Sequence, residues 1–341
     1  MMNSVSKKKN IVFIDLAKGM AIFLVVLGHA LKCLPETTPA VMKQITSLIY
    51  LIHMPLFFVI AGMLFELNKP RYETAGLGTF LKKKGQLYLV PYVSFSLLLY
   101  VMVNVCSNIH GLETVMEKIA NPMNFREFLW ALFTYENHMD GHLWFSYVMF
   151  FVLAIAFLLI HIPDKWIMIE LYAMYTVTFY FAFPEVVWKV MRYLFLFYVG
   201  KELYRNWCKI EKIKLVYYAF VFVATYGGYL LLKTIENPAM GFLKPVSEVT
   251  SACIILILLS RINNKRLVGI LDRLGKESYV IYLLHQPYIV PVVMTLLGKS
   301  KDMSGIGIII STVLGIVIPI MANDHILKKI RILNFCFLGG H

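Results

Sequence analysis

Three polar residues in an otherwise apolar stretch near the N-terminus set the chemical question. Between Phe13 and His29 a carboxylate (Asp15), an ammonium (Lys18) and an imidazole (His29) interrupt a run of apolar side chains. Charge inside an apolar segment is costly and marks function by default. An α-helix turns about 100° and rises about 1.5 Å per residue. Lys18 and His29 are 11 residues apart. They therefore differ by about 20° and share one helix face, separated by about 16 Å along the axis. Asp15 can pair with Lys18 three residues on. It lies about 21 Å from His29, too far to orient that ring as a triad carboxylate does. The face thus carries an inner Asp15/Lys18 site and an outer His29. A snorkelling or paired lysine and an interfacial histidine would leave the same pattern.

Further along, His53 precedes Pro55 in Leu51-Ile52-His53-Met54-Pro55-Leu56-Phe57-Phe58, which ends in Ala61-Gly62, a pair small enough for close helix packing. Its depth matches that of His29, so the two imidazoles can face one another; a packing hydrogen bond is the plainer role. His138, Asp140 and His142 form an H-x-D-x-H string. A metal there would need extended geometry and further ligands. A polar lip of the same outer cavity or a solvated loop end fits better, and no metal is expected. His285 lies in Tyr282-Leu283-Leu284-His285-Gln286-Pro287, where the proline removes a helix donor and predicts a kink. Lys82-Lys83-Lys84 precedes Pro91-Tyr92 and reads either as an anionic-lipid anchor or as a phosphate-binding patch. No Walker A or Rossmann glycine signature occurs, so nucleotide hydrolysis has no support.

The elements that must position these groups follow from composition. The 341 residues are 59% hydrophobic and 16% charged, with a mean hydropathy of +0.69. Soluble domains are about 45–50% apolar and about 25% charged. A transmembrane helix needs roughly 20 apolar residues. Ten such spans are predicted, at 11–31, 45–67, 87–106, 142–161, 166–184, 188–204, 214–233, 246–262, 278–298 and 305–325. With the N-terminus inside, 22 of the 33 Lys and Arg fall in inside segments and 9 in outside ones, as the positive-inside rule requires. Both termini are then cytoplasmic. The net charge of +13 needs no nucleic-acid partner. Lys7–Lys9 before an apolar run looks briefly like a signal peptide. The run holds Asp15 and Lys18 and has no small-x-small cleavage site, so it reads as a retained first span. Five cysteines show no CxxC spacing. Cys33 and Cys106 fall near outer span ends and can pair, while free thiols are the simpler expectation. No repeat and no long linker divide the chain, so one membrane domain over 1–341 is expected.

Together these strings resemble the membrane acyltransferase-3 family, which includes O-acetyltransferases of bacterial surface glycans. Lys18 and His29 match its basic residue–x10–His motif, with lysine for the usual arginine. His53-Met54-Pro55-Leu56-Phe57-Phe58 through Gly62 resembles its second-span string, with Ala61 where a serine is usual. His142-Leu143-Trp144-Phe145 and Tyr282-Leu283-Leu284-His285-Gln286-Pro287 are similar to later ones, and the match runs in order from about residue 11 to 290. After the lysine run the family often has further basic residues; here Gly85, Gln86 and Leu87 stand there.

The resemblance implies transfer of an acyl group, usually acetyl from cytoplasmic acetyl-CoA, to a carbohydrate hydroxyl on or facing the outside of the cell (inner or plasma) membrane. It implies Lys18, Asp15, Lys82, Lys83, Lys84 and His285 as donor contacts. His29 is then general base or acyl carrier, and His53 or His142 polarises the thioester or positions the sugar. The axial gap of about 16 Å is of the order of an extended pantetheine arm. A transporter or flippase of a lipid-linked sugar also explains broken spans and intramembrane charge. A non-catalytic partner in a glycan assembly complex is a third reading. The acceptor, the acyl group and the oligomeric state stay open.

Overall fold

Long apolar runs leave the backbone no partner but itself, so they fold as helices. The computed structural model describes residues 4–35, 38–110, 120–136, 139–297 and 304–340. His138, Lys118, Lys299 and Lys301 lie outside the described residues. In chain order the helices are α1 (Ser4–Lys32), α2 (Ala40–Leu67), α3 (Lys69–Glu73), α4 (Leu77–Cys106), α5 (Phe125–Thr134), α6 (Trp144–Leu158), α7 (Asp164–Val177) and α8 (Glu185–Ile210). There follow α9 (Leu215–Thr234), α10 (Met240–Ser260), α11 (Lys265–Lys276), α12 (Ser278–Leu284), α13 (Val290–Leu297), α14 (Ser304–Ala322, continued by a π turn at Asn323–Leu327) and α15 (Arg331–Leu338). Among the described residues there is no strand.

Among the described residues six helices are long and apolar enough to cross a membrane: Phe13–Lys32, Ala40–Leu67, Leu77–Cys106, Leu215–Thr234, Met240–Ser260 and Gly305–Leu327. They coincide with six of the predicted spans. The other four predicted spans are built differently. The 142–161 segment is apolar but helical only over Trp144–Leu158. The 166–184 segment ends its helix at Val177, where Thr178 turns its hydroxyl back to the Tyr175 carbonyl at 2.6 Å. The 188–204 segment lies in α8, which runs well past it and carries charge from Glu185 to Lys209. The 278–298 segment is split around Pro287 into α12 and α13, as a missing donor and a ring clash demand. The membrane reading also explains what α9 does with its apolar residues. Phe220, Val223 and Leu231 point outward, each about 70% exposed, a surface that only lipid tails would cover.

The chain forms two compact units. The first comprises the chain up to Val25, Lys43–Ala75 and Ile155–Ser278. In it α7 packs on α8 and α10, and α9 on α10. Two glycine pairs set its closest crossings. A Cβ on Gly62 would lie 1.8 Å from the Phe197 carbonyl oxygen, and one on Gly200 would lie 2.0 Å from that of Val59. Helices α2 and α8 therefore touch backbone to backbone. Gly19 and Gly275 do the same for α1 and α11, at 2.0 Å from the Leu271 oxygen and 1.9 Å from the Asp15 oxygen. Small residues permit such approach where lipid offers no hydrophobic push. A buried ionic cluster ties the same unit together. Fully buried Lys201 pairs with Asp164 at 2.8 Å, and Arg205 forks onto Glu66 at 2.7 and 2.9 Å.

The second unit comprises Val26–Met42, Gly76–Ala154 and the chain from Tyr279. Helix α4 packs on α5 and α15, and α13 on α14. An Asn124–Glu127 capping box starts α5. Gly339, at φ +68°, closes α15 against α4, where a Cβ would meet the Gln86 carbonyl at 2.3 Å. All five cysteines are free, Cys33 and Cys106 included.

Replacing Gly62 with Ala is expected to destabilise the protein by roughly 1–3 kcal/mol, the usual cost of overpacking. Gly78→Ala, with open space around it, should not. Thermal unfolding of the detergent-solubilised variants compares the two; equal melting temperatures would reject the close α2–α8 crossing.

Candidate functional site

The second unit gathers three imidazoles. The rings of His29 and His285 have centroids 5.2 Å apart, and those of His285 and His142 5.5 Å apart. His29 projects half-buried from the last turns of α1, whereas His285 and His142 are buried. His285 stands at the break between α12 and α13, where the chain leaves helical geometry. Gly315 of α14 leaves room there: a Cβ on it would lie 2.8 Å from Val290, 2.9 Å from Val26 and 3.9 Å from the His285 Cβ.

Hydrogen bonds decide which nitrogen of each ring is basic. His285 Nδ1 faces the carbonyl oxygens of Ile281 at 2.9 Å and Tyr282 at 2.8 Å. A carbonyl oxygen only accepts, so Nδ1 carries the proton and Nε2 keeps the lone pair. His142 Nδ1 pairs with Asp140 Oδ1, which also accepts the His142 backbone N–H at 3.2 Å. Its Nε2 is buried without a hydrogen-bond partner among the described residues. Each ring is thus set as a base through Nε2.

Tyrosines hold this arrangement. Tyr282 donates to the His142 carbonyl at 3.0 Å and accepts from the Ser146 N–H at 3.3 Å, so one side chain joins the turn before α6 to α12. Tyr135 takes a left-handed conformation, φ 63°, at the end of α5, which costs a non-glycine residue roughly 1–2 kcal/mol. Its hydroxyl donates to the Asp140 carbonyl at 2.8 Å. Tyr92 and Tyr147 stack on each other at 4.9 Å and donate to the carbonyls of Leu132 and Phe133 at 2.8 and 2.6 Å. Tyr92, noted in the sequence beside Pro91, therefore ties the end of α5 to α4.

The other predicted site residues are divided between the two units. His53 belongs to the first unit, where its Nδ1 donates to the Ile49 carbonyl at 2.6 Å and Tyr50 stands edge-on at 4.8 Å. The ring beside His29 is that of His285, a residue the resemblance implied as a donor contact. Lys18 pairs with Asp15 at 2.6 Å, both partly exposed, as their spacing predicts. Lys82 and Lys83 are exposed, while Lys84 Nζ sits 5.7 Å over the Phe80 ring. At the positions after the lysine run the backbone is occupied. The Leu87 carbonyl accepts from Tyr279 at 2.6 Å, and Gly339 lies against Gln86. The Asp140–His142 pairing was missed, although a D-x-H spacing next to a helix start was its available signal. Among the described residues no cluster of three or more His, Cys, Asp or Glu could hold a metal ion.

A half-buried imidazole backed by two buried ones, one with its own carboxylate, is suited to taking a proton from a weakly acidic hydroxyl. Comparison with known proteins agrees with acyl transfer. The model of the acyltransferase-3 family, described as an acyltransferase domain, matches residues 11–323. No curated protein and no solved structure matches the chain. With the match covering nearly its whole length, the chain belongs to the acyltransferase-3 family and is a membrane acyltransferase.

Proposed function

We propose that the chain moves an acetyl group from cytoplasmic acetyl-CoA to a hydroxyl of a cell-surface carbohydrate or its lipid-linked precursor, with His29 as the general base. The observation that carries this is the order of the three rings. His29 is half-buried and can meet a substrate, while His285 and the Asp140–His142 pair lie buried beside it. The sugar hydroxyl gives its proton to His29 as its oxygen attacks the thioester carbonyl carbon. The carbon–sulfur bond then breaks, and the leaving thiolate takes the proton back as the free thiol. Buried Asp140 holds the His142 ring in place through Nδ1.

The donor end lies on the same continuous helix. Lys18 contacts the phosphates of the donor, with Lys82 and Lys83 exposed for the same role, and Asp15 holds the Lys18 ammonium until the donor binds. Ten membrane passages with both termini cytoplasmic suit this division. They put the lysine-rich ends on the donor side, in keeping with the charge bias of the loops, and a cytoplasmic donor with an outside acceptor suits the inner membrane.

Three measurements test the reading. His29→Ala should lower transfer about 10²–10⁴-fold, the usual worth of a general base. Mass spectrometry of surface glycans from cells with and without the active chain would show it as lost acetyl mass. Undiminished acetylation in a normally inserted variant removes His29 from the mechanism. Lys18→Ala should raise the KM for acetyl-CoA with little change in that for the acceptor; unchanged donor affinity rejects the phosphate role. Asp140→Asn keeps the shape but removes the charge beside His142. It should lower kcat roughly tenfold or more at unchanged KM, with partial recovery in Asp140→Glu; an unaltered kcat rejects the positioning role.

A further inference from the structure

Arg192 of the first unit lies seven residues into α8, about 10 Å along the helix from its start. Its guanidinium carbon stands 3.9 Å from the Phe179 ring centre and 4.5 Å from that of Trp188. Nε donates to Thr178 Oγ1 at 2.7 Å, and Nη2 to the Thr178 carbonyl at 3.4 Å. Aromatic rings and one threonine thus hold the plane of the group. The edge at Nη1 makes no hydrogen bond to any described residue, and among those residues no carboxylate lies within ion-pair distance of it.

The nearby carboxylates are held by other groups. Glu248 accepts from Tyr175 at 2.8 Å and pairs with Lys244 at 3.7 Å, while Glu185 pairs with Lys189. This sets Arg192 apart from Lys18 and Lys201, each of which has an aspartate within 2.8 Å. The clamp is also preorganised. A Cβ on Gly241 would lie 2.8 Å from the Phe179 ring, so only glycine lets α10 come this close to that ring. Tyr172 donates to the Phe242 carbonyl at 2.9 Å and fixes the start of α10 to α7.

We propose that Arg192, in its Phe179–Trp188 clamp, binds an oxyanion carried by a sugar, a carboxylate or a phosphate ester, of the acceptor glycan. The proposal rests on the carbohydrate-acceptor reading above and narrows it to an acidic acceptor. A guanidinium is a planar fork that matches both oxyanions, and charge-assisted bonds to it are strong. Exposed Tyr180, Phe181 and Phe242 close by offer flat apolar faces of the kind on which pyranose rings stack. In the topology proposed above this end of the unit faces outward, on the acceptor side. A lipid headgroup phosphate offers the same chemistry, and the test separates the two.

The full chain is reconstituted in phosphatidylcholine nanodiscs without acyl donor and titrated with trigalacturonic acid or its methyl ester. The free acid should bind at least about tenfold more tightly, the equivalent of one charge-assisted bond. Arg192→Gln should abolish that preference, and Arg192→Lys should retain part of it. Equal binding of acid and ester, or full preference in both variants, overturns the proposal. Should Arg192→Gln fail to fold, the acid–ester comparison on the unaltered chain and the lysine variant decide. In discs containing phosphatidylglycerol, Arg192-dependent lipid retention with no acid preference assigns the site to a headgroup and also overturns it. Because no donor is present, binding can succeed in a chain that transfers nothing. Normal transfer without acid preference would sink this inference alone.

Discussion

The arrangement of the second unit depends on one kind of hydrogen bond: the proton that a buried imidazole must place. A neutral ring has one donor and one acceptor, and a membrane interior supplies no water to satisfy either. His285 places its donor on carbonyls at the end of its own helix, which the break before Pro287 leaves within reach. His142 places its donor on Asp140. In both cases Nδ1 is the committed atom and Nε2 becomes the base. Local backbone geometry therefore sets the chemistry. A straight helix through residue 287 would still offer the Ile281 carbonyl, but it would remove the open turn in which the ring meets His29 and His142.

Helix continuity is the second constraint. Lys18 and His29 sit on one unbroken α1, so their separation is fixed by helical rise and does not depend on side-chain detail. The first half of that helix is held by the Gly19–Gly275 crossing with α11. The last turns are held by packing that includes Val26 against Gly315. Each half of α1 is thus held by glycine contacts within its own unit.

These facts explain what could be read from the sequence. The Lys18–Asp15 pair follows from helical periodicity alone, and α1 displays it. Membrane character follows from composition, and six long helices carry it. Two features were not legible because they depend on tertiary contacts. His285 was implied only as a donor contact, and the break at its position puts its ring beside His29. The Asp140–His142 pair spans only two residues, but the tyrosines that bond to Leu132, Phe133 and Asp140 come from α4, α6 and the end of α5. His53 places its Nδ1 donor on the Ile49 carbonyl four residues earlier, the local bond any helical histidine can make.

Charge also interrupts α8, and there the structure separates two situations that look identical in sequence. Lys201 and Arg205 are satisfied by Asp164, Glu66 and Glu202. These residues lie on α2, α7 and α8, so the cluster braces three helices, and removing one member would strand the others at a cost of several kcal/mol. Arg192, nine residues earlier on the same helix, is stabilised by aromatic faces and a threonine. Cation–π contact offsets part of its desolvation without neutralising its charge. A sequence whose only need was to tolerate a cation there could have supplied a carboxylate, as it does one helical stretch away. Aromatic stabilisation keeps the guanidinium folded into place while its positive field remains available to an incoming anion, and that combination is the physical distinction between a brace and a binding site.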